Sequence, residues 1–490
     1  MKIFSLRPVC CKGTNLEYLL TIAHISAATG VSIHVLLTHR HVRSSIGWIA
    51  LSWLSPFIGS SIYLAFGINR VVRRARKSGL GPCICDPEGI TRAQNILVSG
   101  VHGADVPEAI IAIGKAGDTI SGVALSTGND MELFCNGVEA YPVMLEEIAK
   151  AKHSIALAAY IFAPDDIGSK FIKALIDAKN RGVDVRVLVD GIGSGYFRSP
   201  VVEQLRIGGV DVDQFLHQWA PWAMTYINLR NHKKLLIIDG KTGFTGGMNI
   251  SDENIDLVEK PIKVQDIQAR IDGPVVTQLL QTFERDWEFT TSQTLEGNIW
   301  WPDIVGTGNA AMRGISSGPD ESIGQIEALF ATAIEQAQKS IRIVTPYFLP
   351  EDRLFEVLRR AAMRGVLVEI FVPRKSNQFY FDWAIMGHMA TFSLQGINTY
   401  LMPSPFDHSK LFSIDGEWSS IGSANWDARS MRLNFEFQVE CYDRDICAKV
   451  DALIDAKKAK SSLLEERMIL ERSMPVKLRD AGARLFLPYL

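Results

Sequence analysis

What the chain lacks narrows its role first. It has no surplus of positive charge: 51 Lys and Arg stand against 54 Asp and Glu, for a net charge of −3. A protein that grips nucleic acid through its phosphates carries a basic field, so general nucleic-acid binding is excluded as the organising function. Cysteine is also sparse, with seven residues in 490. Cys83 and Cys85 stand too close for a zinc knuckle, and no second pair or histidine follows at ligand spacing. Together with Cys10, Cys11, Cys135, Cys441 and Cys447 they form an odd, scattered set. Such a set argues against a disulfide framework and for free thiols in a reducing compartment.

Apolar residues are not lacking. At 47% of the chain they can fill large cores, and the N-terminus concentrates them. Residues 18–37 carry no formal charge, and residues 46–68 form a second, stronger apolar stretch. Each is near the ~20 residues that a helix needs to cross a bilayer. His24 and His34 weaken the first and Pro56 interrupts the second, which membrane helices tolerate better than soluble ones. Beyond Tyr63 follow Arg70, Arg73, Arg74, Arg76 and Lys77; Lys2, Arg7 and Lys12 precede the first stretch, and only Arg40 and Arg43 lie between the two. The positive-inside rule then expects two transmembrane helices with both ends in the cytoplasm. Residues 1–78 are thus expected to be an anchor. Residues 79–126 read as a connector with a helix near 106–117, and residues 127–305 and 306–490 as two further domains.

Those two domains repeat one plan. Ser154-Ile-Ala-Leu-Ala-Ala-Tyr160 leads through an amphipathic run to Arg181-Gly182-Val183 and the apolar residues 185–189. Ser340-Ile-Arg-Ile-Val-Thr-Pro-Tyr347 leads likewise to Arg364-Gly365-Val366 and residues 368–372. Apolar strand, helix, glycine turn and apolar strand make a βαβ unit. Uninterrupted apolar strands belong in a sheet covered on both faces. The fold class is therefore α/β, in two duplicated halves, with the join expected over about 293–318.

Each half also carries one signature at one spacing. In the first it is His232, Lys234 and Asp239, then Gly246, Gly247 and Asn249; in the second it is His408, Lys410 and Asp415, then Gly422, Ser423 and Asn425. A single H-x-K-x4-D match is weak, but two at equal offsets inside a repeat are not coincidence. Residues 235–238 and 411–414 read as short strands ending in Asp-Gly, a hairpin signal. Histidine and lysine two apart share a strand face. A two-residue turn would set Gly247 opposite His232 and Ser423 opposite His408, leaving room for a phosphate. Lysine and the Asn249 and Asn425 amides would donate to its oxygens. Seven residues of extended strand span roughly 23 Å, so Asp239 and Asp415 read as turn or scaffold members of the motif.

These residues resemble the phospholipase D superfamily and, more narrowly, the bacterial cardiolipin synthases. Further matches are Trp53-Leu-Ser-Pro56, Gly128-Asn-Asp130, Asn228-Leu-Arg-Asn-His232, Ser317-Gly-Pro-Asp320 and Thr345-Pro-Tyr-Phe348. Gly422-Ser-Ala-Asn-Trp-Asp-Ala-Arg-Ser430, Asn434-Phe-Glu436 and the C-terminal Arg484-Leu-Phe-Leu-Pro-Tyr-Leu490 complete the set. The resemblance implies two α/β sandwich halves related by a pseudo-twofold axis, preceded by two transmembrane helices in the inner membrane. It implies phosphatidyl transfer between two phosphatidylglycerol molecules, without metal or cofactor, through a phosphohistidine. His232 is then the nucleophile and His408 the general acid and base. Glu436 matches the family's histidine-orienting carboxylate in the second half, and Asp266 is the candidate in the first.

Overall fold

The computed structural model describes residues 15–38, 42–67, 93–98, 106–195, 197–217, 229–255, 263–306, 308–320, 322–392 and 396–484. The basic residues 70–77, Cys10, Cys11, Cys83, Cys85 and the last six residues lie outside them. The chain divides into two units, Met1–Arg73 and Arg74–Leu490.

In the first unit, α1 (Asn15–Thr38) contains Leu16–Thr38, the one helical stretch among the described residues long and apolar enough to cross a membrane. The second apolar stretch is not one continuous helix as expected. It divides into α2 (Val42–Leu54), a turn through Phe57 with φ 61°, α3 (Ile58–Ile62) and a π-helical turn over Tyr63–Gly67. Pro56 is the cause, since it has no N–H to donate and its ring clashes with the preceding turn. At ~1.5 Å per residue α2 reaches about 20 Å, short of a ~30 Å hydrocarbon core. The polar residues of the first stretch are used across this hairpin. Trp53 Nε1 donates to Ser32 Oγ at 3.0 Å, and His34 Nδ1 lies 2.6 Å from the Tyr63 hydroxyl. In an apolar setting such bonds fix helix pairing.

The second unit is built around one large sheet. Its first-half strands are β1 (Ser126–Cys135), β2 (Ser154–Ala159), β3 (Asp184–Asp190), β4 (Asp211–Phe215), β5 (Arg230–Asn231), β6 (Leu235–Ile238), β7 (Thr242–Gly246), β8 (Val264–Gln265) and β9 (Ile267–Asp272). The second half supplies β10 (Ala310–Ser317), β11 (Ser340–Val344), β12 (Phe348–Leu349), β13 (Leu367–Pro373), β14 (Ile397–Met402), β15 (Phe406–Asp407) and β16 (Leu411–Ile414). It continues with β17 (Trp418–Gly422), β18 (Trp426–Asp427), β19 (Asn434–Cys441) and β20 (Ser462–Leu463). From the centre outward one half runs β1-β9-β7-β6-β2-β3-β4 and the other β10-β19-β17-β16-β11-β13-β14-β20. The first seven positions of the two orders correspond, β20 being an added edge strand in the second half, and the halves meet where β1 pairs antiparallel with β10. Two separate two-stranded pairs, β8 with β15 and β12 with β18, lie outside this sheet.

Both βαβ units form where the sequence places them. β2 pairs parallel with β3 across the helix Asp166–Asn180, and β11 with β13 across Asp352–Met363. Every residue of β2 is buried, as a strand covered on both faces requires. The polar join expected over 293–318 proves to contain β10, buried at the middle of the sheet. Its hydroxyls mislead: Ser317 is buried and donates to the Ser322 carbonyl at 3.2 Å. The connector helix forms over Glu108–Ser121.

Candidate active site

The two motifs form hairpins whose turns differ from expectation. Asp239 and Gly240 both take positive φ, and Lys241 N donates to the Ile238 carbonyl at 3.0 Å, but the ladder resumes at Ile238↔Thr242. Lys241 is thus an extra residue, and the second motif repeats this with Ile414↔Trp418 around Asp415, Gly416 and Glu417. A bulge of this kind moves every later residue one step along the ladder. Gly247 and Ser423 therefore do not face their own half's histidine across the hairpin. They serve the carboxylates instead: a Cβ on Gly247 would lie 2.4 Å from Asp266 Oδ1, and the Ser423 hydroxyl donates to Glu436 Oε2 at 2.5 Å.

The histidines are held from across the interface between halves. β5, leading into His232, pairs parallel with Asn434 and Phe435 at the start of β19; β15, leading into His408, pairs parallel with β8. His232 N–H donates to the Phe435 carbonyl at 2.9 Å and His408 N–H to the Gln265 carbonyl at 2.7 Å. The side chains cross in the same way. His232 Nδ1 lies 2.9 Å from Glu436 Oε2, and His408 Nδ1 lies 2.9 Å from Asp266 Oδ2. An ionised carboxylate only accepts, so each Nδ1 carries the proton and donates. That leaves Nε2 of each ring with its lone pair, and the two ring centroids are 6.4 Å apart.

Burial governs the charges here. Lys234 and Lys410 are buried, and desolvation pulls their pKa values to about 7 and about 8. Each ammonium donates to the carbonyl of its own motif histidine, Lys234 to His232 at 2.7 Å and Lys410 to His408. Desolvation, with Glu436 opposing and Lys234 adding to it, lowers the pKa of His232. Desolvation and Lys410 bring His408 to about 4. Glu436 stays ionised although burial opposes it, because His232 and Lys234 hold its carboxylate below the usual range. The site is therefore a buried centre that combines two lysines, two carboxylates and two neutral imidazoles. It is poised for an anion, whose charge would restore the protons that burial removes. Asn425 is buried and its Oδ1 has no partner among the described residues. Asn249 is half-buried, and its Oδ1 accepts a long 3.4 Å bond from Ile161 N–H.

Asp239 and Asp415 lie at the far end of the motif strands. The Asp239 carboxylate accepts from the N–H groups of Lys152, His153 and Ser154, at 2.7 Å for His153. Asp415 does the same for Gln338, Lys339 and Ser340. Each ties its hairpin turn to the start of the neighbouring βαβ unit.

Sequence reasoning missed several neighbours. The Tyr160 ring lies 5.0 Å from that of His232, with Lys234 Nζ 5.2 Å above Tyr160; Tyr347 lies 6.3 Å from His408. Both tyrosines sit just past the first strand of their βαβ units, a position that the repeat itself marks. Behind the motifs are two buried ion pairs. Lys233 meets Asp286 at 2.9 Å in the first half, and Asp407 meets Lys457 in the second.

Two duplicated α/β halves sharing one centre of paired histidines and lysines define the phospholipase D-like class. The domain family described as "Cardiolipin synthase, PLD-like domain" matches residues 144–287 and 330–457. The cardiolipin synthase of Oceanobacillus iheyensis is 29% identical over 95% of this chain and 97% of its own. That of Listeria monocytogenes serotype 4b is 30% identical over 97% of this chain and 99% of its own. The fold is also that of phosphatidylserine synthase from Haemophilus influenzae Rd KW20, with a TM-score of 0.62 at 16% identity over 77% of this chain and 100% of that one. The chain belongs to the cardiolipin synthase family of phospholipase D-like proteins.

Proposed function

We propose that the protein is a phosphatidyltransferase that joins two phosphatidylglycerol molecules into cardiolipin and releases glycerol. The observation that carries this reading is the crossed pair of buried imidazoles, each with Nδ1 fixed to a carboxylate and Nε2 left free. In the first step Nε2 of His232 attacks the diester phosphorus. The P–N bond forms as the P–O bond to glycerol breaks, and His408, which takes up a proton on Nε2 as the diester anion binds, passes that proton to glycerol. In the second step His408 removes the hydroxyl proton of an incoming phosphatidylglycerol. That oxygen attacks phosphorus, the P–N bond breaks and cardiolipin leaves. Lys234, Lys410, Asn249 and Asn425 hold the phosphoryl oxygens; Glu436 and Asp266 orient the rings and stabilise the imidazolium that each step forms.

The same reading places the protein in the bacterial inner membrane with more than one pass and a cytoplasmic catalytic unit. Its support is the apolar α1, the folded-back apolar residues after it and the basic residues 70–77. Incubating membranes that contain the protein with phosphatidylglycerol labelled in its headgroup and acyl chains tests the chemistry. Labelled cardiolipin and free glycerol are expected in equal amounts. Phosphatidic acid in place of cardiolipin would make the protein a hydrolytic phospholipase D.

A further inference from the structure

A continuous line of aromatic rings leads from the site to the surface. Tyr347, 6.3 Å from His408, lies 4.5 Å from Phe381. Tyr380 lies 5.3 Å from Phe381 and 5.5 Å from Phe379, which is 64% exposed. These residues open the helix Phe379–Phe392, whose one acidic residue, Asp382, is used locally by the Ser376 N–H at 2.9 Å. A single exposed apolar residue needs no explanation, but this one does not stand alone.

The helix Met474–Arg484 packs on the first so closely that a Cβ on Gly387 would lie 2.8 Å from the Asp480 carbonyl oxygen. Asp480 is buried beneath it, paired with Arg472 and Arg479, and the Arg479 guanidinium lies 4.5 Å from the Trp383 ring. The inner side of the second helix is thereby fixed by charge. Its outer side carries Met474 and Leu478, one turn apart and each 66% exposed, with Lys477 and Arg484 exposed beside them. Apolar side chains flanked by cations are what a surface resting in the headgroup layer presents.

We propose that these two helices dock the catalytic unit on an anionic phospholipid bilayer, and that the aromatic line carries lipid from this surface to His408. This rests on the reading that the substrate is a bilayer lipid. A protein partner would be served by the apolar patch alone. The unbroken run of rings to the reacting imidazole fits a ligand that must bring its phosphorus there while its chains stay in apolar contact.

The test uses the full chain with Met474→Glu and Leu478→Glu together. Turnover of long-chain phosphatidylglycerol in vesicles is expected to fall at least about tenfold, while turnover of monomeric dihexanoyl phosphatidylglycerol stays within about twofold. Equal losses on both substrates, or none on vesicles, would overturn the proposal. A bimane fluorophore on Leu478→Cys, read against the same labelling of the unsubstituted chain, gives a signal independent of chemistry. Quenching by brominated acyl chains is expected. No quenching, or cross-linking at this position between two copies, would overturn it. Failure of the wild-type protein to make any cardiolipin would refute the functional reading and leave the quenching result to stand.

Discussion

The two halves of the catalytic unit share one strand order and one motif geometry, yet the side chains that support the motif residues differ. His232, Lys234 and Asn249 have counterparts at identical offsets in His408, Lys410 and Asn425. Behind them the copies diverge. Glu436, which holds His232, also takes the Ser423 hydroxyl and the Asn434 amide; Asp266, which holds His408, meets Gly247 in place of a hydroxyl and takes its own half's Ile267 N–H at 2.8 Å. The buried ion pair behind each motif is reversed: the cation, Lys233, is in the motif itself in the first half and, as Lys457, on the helix Arg444–Lys460 in the second. In the proposed reaction a phosphoryl group on the pseudo-twofold axis would take the same contacts from both sides. The supporting layer needs only compensated charge, so it is free to drift. That drift gives two chemically similar histidines unequal surroundings, which a division of labour requires.

The largest test breaks the histidines apart. His232→Ala and His408→Ala should each lose roughly 10⁴-fold or more in turnover of phosphatidylglycerol, since both act on one transition state. An activated phenolate leaving group needs no proton, so it should partly rescue His408→Ala and leave His232→Ala inactive. On that substrate the His408 variant should accumulate phosphohistidine, because no base remains to activate the acceptor. Mass spectrometry that maps acid-labile phosphate to His408 in the His232 variant would reverse the assignment.

Next in size are the crossed carboxylates. Glu436→Gln and Asp266→Asn keep the shape but remove the charge that fixes the Nδ1 proton, and each should cost roughly 10²- to 10⁴-fold in kcat. The crossing predicts the pairing of effects. Glu436→Gln should impair formation of phosphohistidine even with the phenolate substrate. Asp266→Asn should be partly rescued there, like His408→Ala. Single-turnover quench measurements separate the two, and the opposite pattern would refute the crossed geometry as the functional one.

The sequence carried the duplicated βαβ plan, the motif strands and the remote position of both aspartates because each rests on local periodicity or chain length. The bulge at Lys241 was hidden, since Asp-Gly signals a left-handed turn but not the residue that follows it. The crossing of His232 to Glu436 was equally hidden: it depends on how β5 and β19 pair across 204 residues. Tyr160 and Tyr347 could have been found, as they occupy equivalent ends of the repeat. The break at Pro56 was visible in the chain, but a membrane-spanning pattern tolerates it, and composition alone does not separate the two outcomes.

Smaller effects come from the turn aspartates. Asp239→Asn and Asp415→Asn suit the positive φ at these positions, where Asn is well tolerated, so the backbone should stay as it is. Each removes a carboxylate that gathers three N–H groups, with an expected loss of about 1–3 kcal/mol of stability. Denaturant unfolding should show that loss while the folded fraction keeps its turnover. Normal stability with lost turnover would show that these aspartates act on the chemistry.

The smallest expected effect, and the one that reads the site's own electrostatics, is the basic limb of the pH profile. Phosphate binding needs protonated lysine, and burial has lowered Lys234 to about 7 and Lys410 to about 8. As pH rises through that window the free enzyme loses cations, so kcat/KM should fall about tenfold per pH unit above it. The limb should be weaker or displaced upward in kcat, because a bound diester anion stabilises the ammonium form. On the acid side the depressed pKa of His232 keeps the nucleophile neutral well below the usual imidazole range. His408, at about 4 in the free site, must take up its proton as the diester binds and so adds a decline of kcat/KM that begins below the lysine window. The two lysines titrate as a coupled pair, and substitution sharpens the comparison between halves. Arginine does not titrate here, so Lys234→Arg should move the limb further upward than Lys410→Arg. A kcat/KM profile flat to pH 9 in the wild-type protein would mean that water or a neighbouring charge keeps both ammonium groups protonated. The desolvated centre with lowered lysine pKa values would then not be the form that meets substrate.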